Sequence, residues 1–314
     1  MPSSSVQTFT DPDDYAGSLQ ATTVELTIIE RGSFAAKLTR VKLHHQWMQR
    51  FSEVLPRIGH YTNDAGRAVI TFRTRPGPSV IAAGLDMHMS NILLHSDGQE
   101  YFRRSAGPVD FASMSLPTED LAMAGAAISG REPMLPNDAL SLEPPPPAKA
   151  RLLELHAAAG TLAEYAPAVI ANADAAHGLE QAVIEATVDC LGEAAMGEDN
   201  SARRRHSRIM RRFYATLEES PEQALFIPEI CRAIGASRRT LQTCCEEHLG
   251  TGPRRYLLLR RMGLARRALR AGVPRETTVT EIATRYGFWQ FGRFAGEYKA
   301  LFGESPSATL ARQP

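Results

Sequence analysis

The chain has 314 residues, 43% of them hydrophobic, with 35 Lys+Arg, 35 Asp+Glu and 4 Cys. No apolar run is long enough to span a bilayer and no cationic segment leads into one at the start, which excludes a membrane-spanning helix and makes the cytoplasm the expected location. The zero net charge hides a division: residues 203–314 hold 21 Lys+Arg against 10 Asp+Glu, and the preceding part holds 14 against 25. A basic module joined to an acidic one is expected of a chain that binds phosphates at one end only.

From the N-terminus, Met1 to Thr22 reads as polar and mildly acidic. Between about 23 and 126 the texture is β-prone, with short runs at Thr23–Glu30, Phe34–Leu43, Ala68–Arg75, Ser79–Ala83, Ser90–Leu94 and Val109–Ser113. Turn signals such as Asn63-Asp64-Ala65-Gly66, Asp97-Gly98 and Gly107-Pro108 separate them, which predicts a small antiparallel barrel or sandwich over 1–146. His44, His45, His60, His88 and His95 do not reproduce a two-His-plus-Glu cluster, so neither a metal nor a cofactor is expected. Trp47, Met48, Phe51, Phe72 and Met87 read as pocket lining or as core filling.

The run Glu143 to Pro147 reads as a stiff extended spacer. Ala148–Gly160, Leu162–Ala173 and Leu179–Met196 then read as helices, giving a helical segment over 147–199. In the last helix Leu179, Val183, Ala186 and Cys190 share one face, flanked by Ile184, Val188 and Leu191; the stripe suits either a dimer seam or packing on the chain's own β-domain. Gly197 to Ser201 reads as a flexible joint ahead of Arg203-Arg204-Arg205.

Residues 200–314 contain one pattern twice. Ile227 to Gly235 returns as Val279 to Gly287, with Glu229 answered by Glu281 and Gly235 by Gly287. Leu241 is then answered by Phe294, Leu249-Gly250 by Phe302-Gly303 and Pro253 by Pro306. Each copy reads as a short helix, a Gly at the tight turn and a second helix: a helix-turn-helix. In the first copy Ser237 suits an N-cap and Leu241, Cys244, Cys245 and His248 point inward, leaving Arg238, Arg239, Gln242 and Thr243 for DNA. In the second, Phe294, Tyr298, Leu301 and Phe302 form the inward stripe, and Gln290, Phe291, Arg293 and Glu297 are the exposed candidates. A long helix from Pro253 to Arg270 joins the copies, its Arg255, Arg260, Arg261, Arg266, Arg267 and Arg270 supplying cations. Such a stiff spacer favours two major-groove segments about 34 Å apart on one face of the duplex. The cysteines lack the spaced pairs of a zinc site and read as buried thiols.

The stretch from about 205 to 312 resembles the DNA-binding domain of the AraC/XylS transcription regulators. The resemblance rests on the paired units, Ser237-x-x-x-Leu241, Gly250-x-x-Pro253-x-x-Tyr256, Ile282-Ala283, Gly287-Phe288 and Phe302-Gly303-x-Ser305-Pro306. Ser237 to Gln242 and Gly287-Phe288-Trp289 are most similar to the ethanolamine-operon regulator. Two positions depart from the family pattern: Cys244-Cys245 replace a bulky residue and Phe, and Gly296 replaces an Arg that often contacts DNA. The resemblance implies an α+β multidomain protein with an N-terminal cupin-like β-barrel and trailing helices. It further implies an activator that binds double-stranded DNA and RNA polymerase, dimerises, and responds to a small-molecule effector. The rival readings are a cupin-type enzyme tethered to DNA and a low-specificity DNA-organising protein; the first lacks a metal cluster, and differing side chains on the two recognition helices oppose the second.

Overall fold

The structure, a computed structural model, describes residues 1–95, 97–130, 138–192, 194–196, 201–219, 221 and 224–312. The chain opens with β1 (Ser3–Phe9), α1 (Pro12–Ala16), β2 (Thr22–Ile28), β3 (Ala36–Lys42), β4 (Trp47–Glu53), β5 (Arg57–Asn63) and β6 (Arg67–Arg73). It continues through β7 (Val80–Ala82), β8 (Leu85–Asp86), β9 (Ile92–His95), β10 (Glu100–Ser105), β11 (Val109–Pro117), α2 (Thr118–Ser129) and β12 (Leu140–Glu143). Then come α3 (Pro146–Tyr165), α4 (Pro167–Ala171), α5 (Ala173–Gly192), β13 (Ala195–Met196) and α6 (Ser201–Glu218). The C-terminal helices are α7 (Ile227–Ile234), α8 (Arg238–Leu249), α9 (Pro253–Ala271), α10 (Val279–Arg285), α11 (Phe291–Phe302) and α12 (Pro306–Ala311).

The expected barrel is not closed. Two antiparallel sheets face each other, one ordered β1-β3-β4-β11-β6-β9-β12-β13 and the other β2-β5-β10-β7-β8. Among the described residues no ladder joins their edges, so the architecture is an open sandwich. The Asp64 to Gly66 turn carries the chain from β5 in the smaller sheet to β6 in the larger, with Gly66 at φ 76°, where an L side chain would be strained.

Strands β4, β5 and β10 lie outside the predicted runs, and their inward positions show why. Gln49, Glu53, Arg57, Asn63 and Arg103 are all buried between the sheets, so the polar/apolar alternation that betrays a half-buried strand is missing there. The opposite face of the larger sheet is apolar: Ile70, Phe72, Ala112 and Met114 pack under Leu152 and Ala159 of α3 and under Val183, Ala186 and Cys190 of α5. The apolar stripe of α5 is therefore spent within the chain, with Val183 fully buried. Its polar flank, including Gln181 and Glu185, faces outward.

The polyproline run is only partly a spacer. Pro145 is extended at φ −52°, ψ 138°, and α3 begins at Pro146, because the first helical turn has no amide partner for Pro to lose. The predicted second helix breaks at Ala166-Pro167, and α5 stops at Gly192, after which Ala195–Met196 adds a short strand to β12. Residues 197–200, where the joint is expected, lie outside the described residues.

Candidate nucleic-acid interface

Both predicted helix-turn-helix units are present, and local chemistry explains their boundaries. In the first, α7 ends at Gly235 with φ 64°. The Ser237 hydroxyl then accepts from the Thr240 amide at 3.1 Å and starts α8. In the second, Thr278 and Glu281 form a reciprocal capping box: the Thr278 amide donates to Glu281 at 2.8 Å and the Glu281 amide to Thr278 Oγ1 at 3.1 Å. Glu229 repeats the carboxylate half of that box on the Phe226 amide at 2.9 Å. Phe226 has no acceptor for the other half. The recurrence of Glu229 as Glu281 thus serves one function, satisfying an orphan amide at the start of each unit's first helix.

On α8, Leu241, Cys244, Cys245, His248 and Leu249 are buried, and Arg238, Arg239 and Gln242 are exposed. Thr243 is half-buried, and its hydroxyl donates to the Arg239 carbonyl at 3.2 Å. Gln242 donates to Glu246 at 2.6 Å. These local bonds occupy Gln242 and Thr243, whereas among the described residues the Arg238 and Arg239 side chains carry none. Burial pushes the Cys244 thiol up to about 11 and raises that of Cys245 further, so both are un-ionised fillers of the core.

On α11, Phe294, Tyr298 and Leu301 are buried. Gln290, Phe291 and Arg293 are exposed at the helix start, and Arg293 pairs with Glu297 at 2.8 Å. Glu297 lies farther along, on the wall of a cleft of about 460 Å³ shared with Ile29 and Arg31 of the β-domain. Gly296 is exposed, and the space a Cβ would take there is open. Trp289, in the turn ahead of α11, is 74% exposed; the sequence marks it as part of a resemblance motif and not as an exposed candidate for DNA. Its place immediately before the N-cap of a recognition helix was the available signal.

The connecting helix overturns one expectation. Most of its arginines are engaged by the β-domain. Arg266 meets Asp11 at 2.6 Å and Asp13 at 3.4 Å, and Arg267 meets Glu25 at 2.6 Å and Asp13 at 3.3 Å. Arg270 pairs with Asp11 and reaches Asp14 at 3.5 Å; Arg260 pairs with Glu218 and Glu25. Burial alone would raise the Glu25 carboxyl, but Arg260 and Arg267 outweigh it and hold it below its ordinary value. Asp13 is raised, because burial outweighs the help of Arg267. The acidic and basic parts of the chain are therefore complementary to each other as well as suited to different partners. The signal was in the sequence: Asp11, Asp13 and Asp14 cluster at one end, and Arg266, Arg267 and Arg270 share a helical face.

An apolar seam accompanies these ion pairs. Ile58 and Phe102, on the outer face of the smaller sheet, join one core with Ile209, Met210 and Phe213 of α6, Leu241 of α8 and Tyr256 of α9. His60 stacks on Tyr214. Burial lowers His60 to about 3 and His248 to about 4, so both imidazoles are neutral in the seam.

Comparison with known proteins places the same region. Residues 230–312 match a family model described as a helix-turn-helix domain. The chain is similar to the "Probable thc operon regulatory protein" of Rhodococcus erythropolis, 46% identical over 98 residues, which is 31% of this chain and 30% of the relative. It is similar to the "XylDLEGF operon transcriptional activator 2" of Pseudomonas putida, 35% identical over 95 residues, 30% of this chain and 60% of that one. The chain thus spans less than two thirds of these relatives. The crystal structure of the AraC-like transcriptional activator CuxR aligns over 88% of this chain and 99% of its own, at 16% identity and a TM-score of 0.42.

Proposed function

We propose that the chain is a sequence-specific DNA-binding regulator of the AraC/XylS kind, an activator acting on RNA polymerase, whose β-domain senses a small-molecule effector. The observation that carries this reading is the duplicated helix-turn-helix with Arg238 and Arg239 free on one recognition helix and Gln290, Phe291 and Arg293 exposed on the other. Arg reads guanine by a bidentate pair and Gln reads adenine, while the neighbouring cations hold phosphates. The β-rich domain ahead of the helical one supports a cupin-like sensor in open form, not an enzyme, since the relatives are named as regulators. Two finer assignments belong to the same proposal. The motifs Ser237 to Gln242 and Gly287 to Trp289 favour kinship with ethanolamine-operon regulators. A cytoplasmic homodimer suits a repeated operator, its seam formed by surfaces other than the buried Val183 stripe.

The test is selection of a binding site from random duplexes followed by titration of Arg239→Ala. On the selected site the variant should lose about 1 to 3 kcal/mol, with little change on scrambled DNA. Equal losses on both would make Arg239 a phosphate contact, and failure of the wild-type chain to enrich any sequence would refute the regulator reading.

A further inference from the structure

The two recognition helices occupy equivalent places in the repeat, yet their exposed chemistry is opposite. The register that answers Leu241 with Phe294 and Pro253 with Pro306 also answers Arg238 with Phe291, Arg239 with Gly292, Gln242 with Ala295 and Thr243 with Gly296. Each hydrogen-bonding side chain that α8 offers to DNA is thus replaced on α11 by an apolar one or by none. Ahead of them, Ala236 is answered by Trp289.

These replacements face solvent. Trp289 is 74% exposed and Phe291 42%, whereas Phe288 and Phe294 beside them are buried in a hydrophobic core. Among the described residues neither exposed ring belongs to a core cluster. Gly292 and Gly296 lie one helical turn apart on the exposed side of α11, and nothing stands within 4 Å of the place a Cβ would take at either. Arg293 is exposed as well, but its guanidinium is held by Glu297 at 2.8 Å. Gln290, at the N-cap, is the other polar side chain at this end of the helix.

Burying rings of this size is strongly favourable, and what covers them follows from their place. The N-terminal end of a recognition helix meets base edges in the major groove, and both rings are continuous with Gln290 and Arg293 in the nucleic-acid interface. Among the base edges presented there, thymine alone carries a methyl group, at C5. The bare Gly292 and Gly296 let the helix backbone approach it closely. We propose that the second unit reads thymine methyl groups by apolar contact through Trp289 and Phe291, while the first reads purines through hydrogen bonds. This assignment rests on the regulator reading above and gives the second recognition helix its target.

The experiment titrates the full chain against its selected duplex with each thymine replaced singly by uracil, which removes the methyl and leaves pairing intact. At the contacted positions the replacement should weaken binding about fourfold, the factor carried by one buried methyl group. Those positions should lie about one helical turn from the bases that Arg239→Ala affects. Trp289→Ala and Phe291→Ala should each weaken binding to the thymine duplex about tenfold with an unchanged Tm, and should reduce the effect of uracil; Phe291→Leu, still apolar, should retain it. Arg239→Ala should leave the effect of uracil untouched. A wild type indifferent to uracil at every position would overturn the proposal, and so would a uracil effect that survives in both alanine variants of the rings. Ring variants weakened equally on selected and scrambled DNA would make the rings a general wedge between base steps and overturn it too. A chain that selects no sequence removes the regulator reading as well, whereas indifference to uracil on a selected site leaves that reading standing.

Discussion

Glu25 is the residue through which the two halves of the chain are most directly tied, so Glu25→Gln is the most informative single perturbation. Its carboxylate meets Arg267 at 2.6 Å and Arg260 at 3.5 Å, and accepts from Tyr214 at 2.9 Å. A fully exposed pair contributes about 0.2–1 kcal/mol, and breaking a buried one costs about 3–5 kcal/mol. The Arg260 side chain is 5% exposed, Glu25 20% and Arg267 31%, which places the loss between these limits, at about 2 kcal/mol. The amide keeps the shape and still accepts from Tyr214, so the loss isolates the charge. Urea unfolding followed through tryptophan fluorescence reads each part separately, since Trp47 lies on β4 and Trp289 in the second helix-turn-helix. Trp47→Phe leaves the second reporter alone. Glu25→Gln should lower the midpoint seen by both reporters, and the cycle with Arg267→Gln should show a coupling near 1 kcal/mol. A loss below about 0.5 kcal/mol with no coupling would mean that the apolar seam alone joins the domains and that the ion pairs are incidental.

Phe102→Ala removes the ring that touches His60 on the neighbouring strand and Tyr214 and Tyr256 across the seam; it should cost about 3–5 kcal/mol and split a single urea transition into two, and an unchanged single transition would refute the shared core. Acidification should loosen the same seam. The unfolded His248 takes a proton near 6.5 and the folded one only near 4, so the unfolded state binds more protons in that window and stability falls as pH drops through it, by about 3 kcal/mol once below 4. Melting curves from pH 7 to 4 check this, and His248→Gln should flatten the slope. Ser237→Ala, which deletes the α8 cap, should cost about 1 kcal/mol of stability and weaken operator binding without altering the response of the β-domain to ligands; a variant as stable as the wild type would deny the cap its role.

The C-terminal architecture was legible in the sequence because its determinants are local. Gly235 and Gly287 end helices through their own φ, Ser237 and Thr278 cap within three residues, and the inward stripes of α8 and α11 repeat at helical spacing. These signals do not depend on what lies elsewhere in the chain. Tertiary structure decided the rest. Strands β4, β5 and β10 were hidden because Glu53, Arg57 and Arg103 occupy inward positions that are tolerable only when partners from other strands surround them. The stripe of α5 was compatible with a dimer seam or an intramolecular face until the larger sheet took it, since an apolar face does not encode which surface covers it. The arginines of α9 read as cations for DNA until Asp11, Asp13 and Glu25, more than two hundred residues away in the chain, were brought against them. Charge is written in the sequence, but its pairing is set by distance, and distance exists only in the fold.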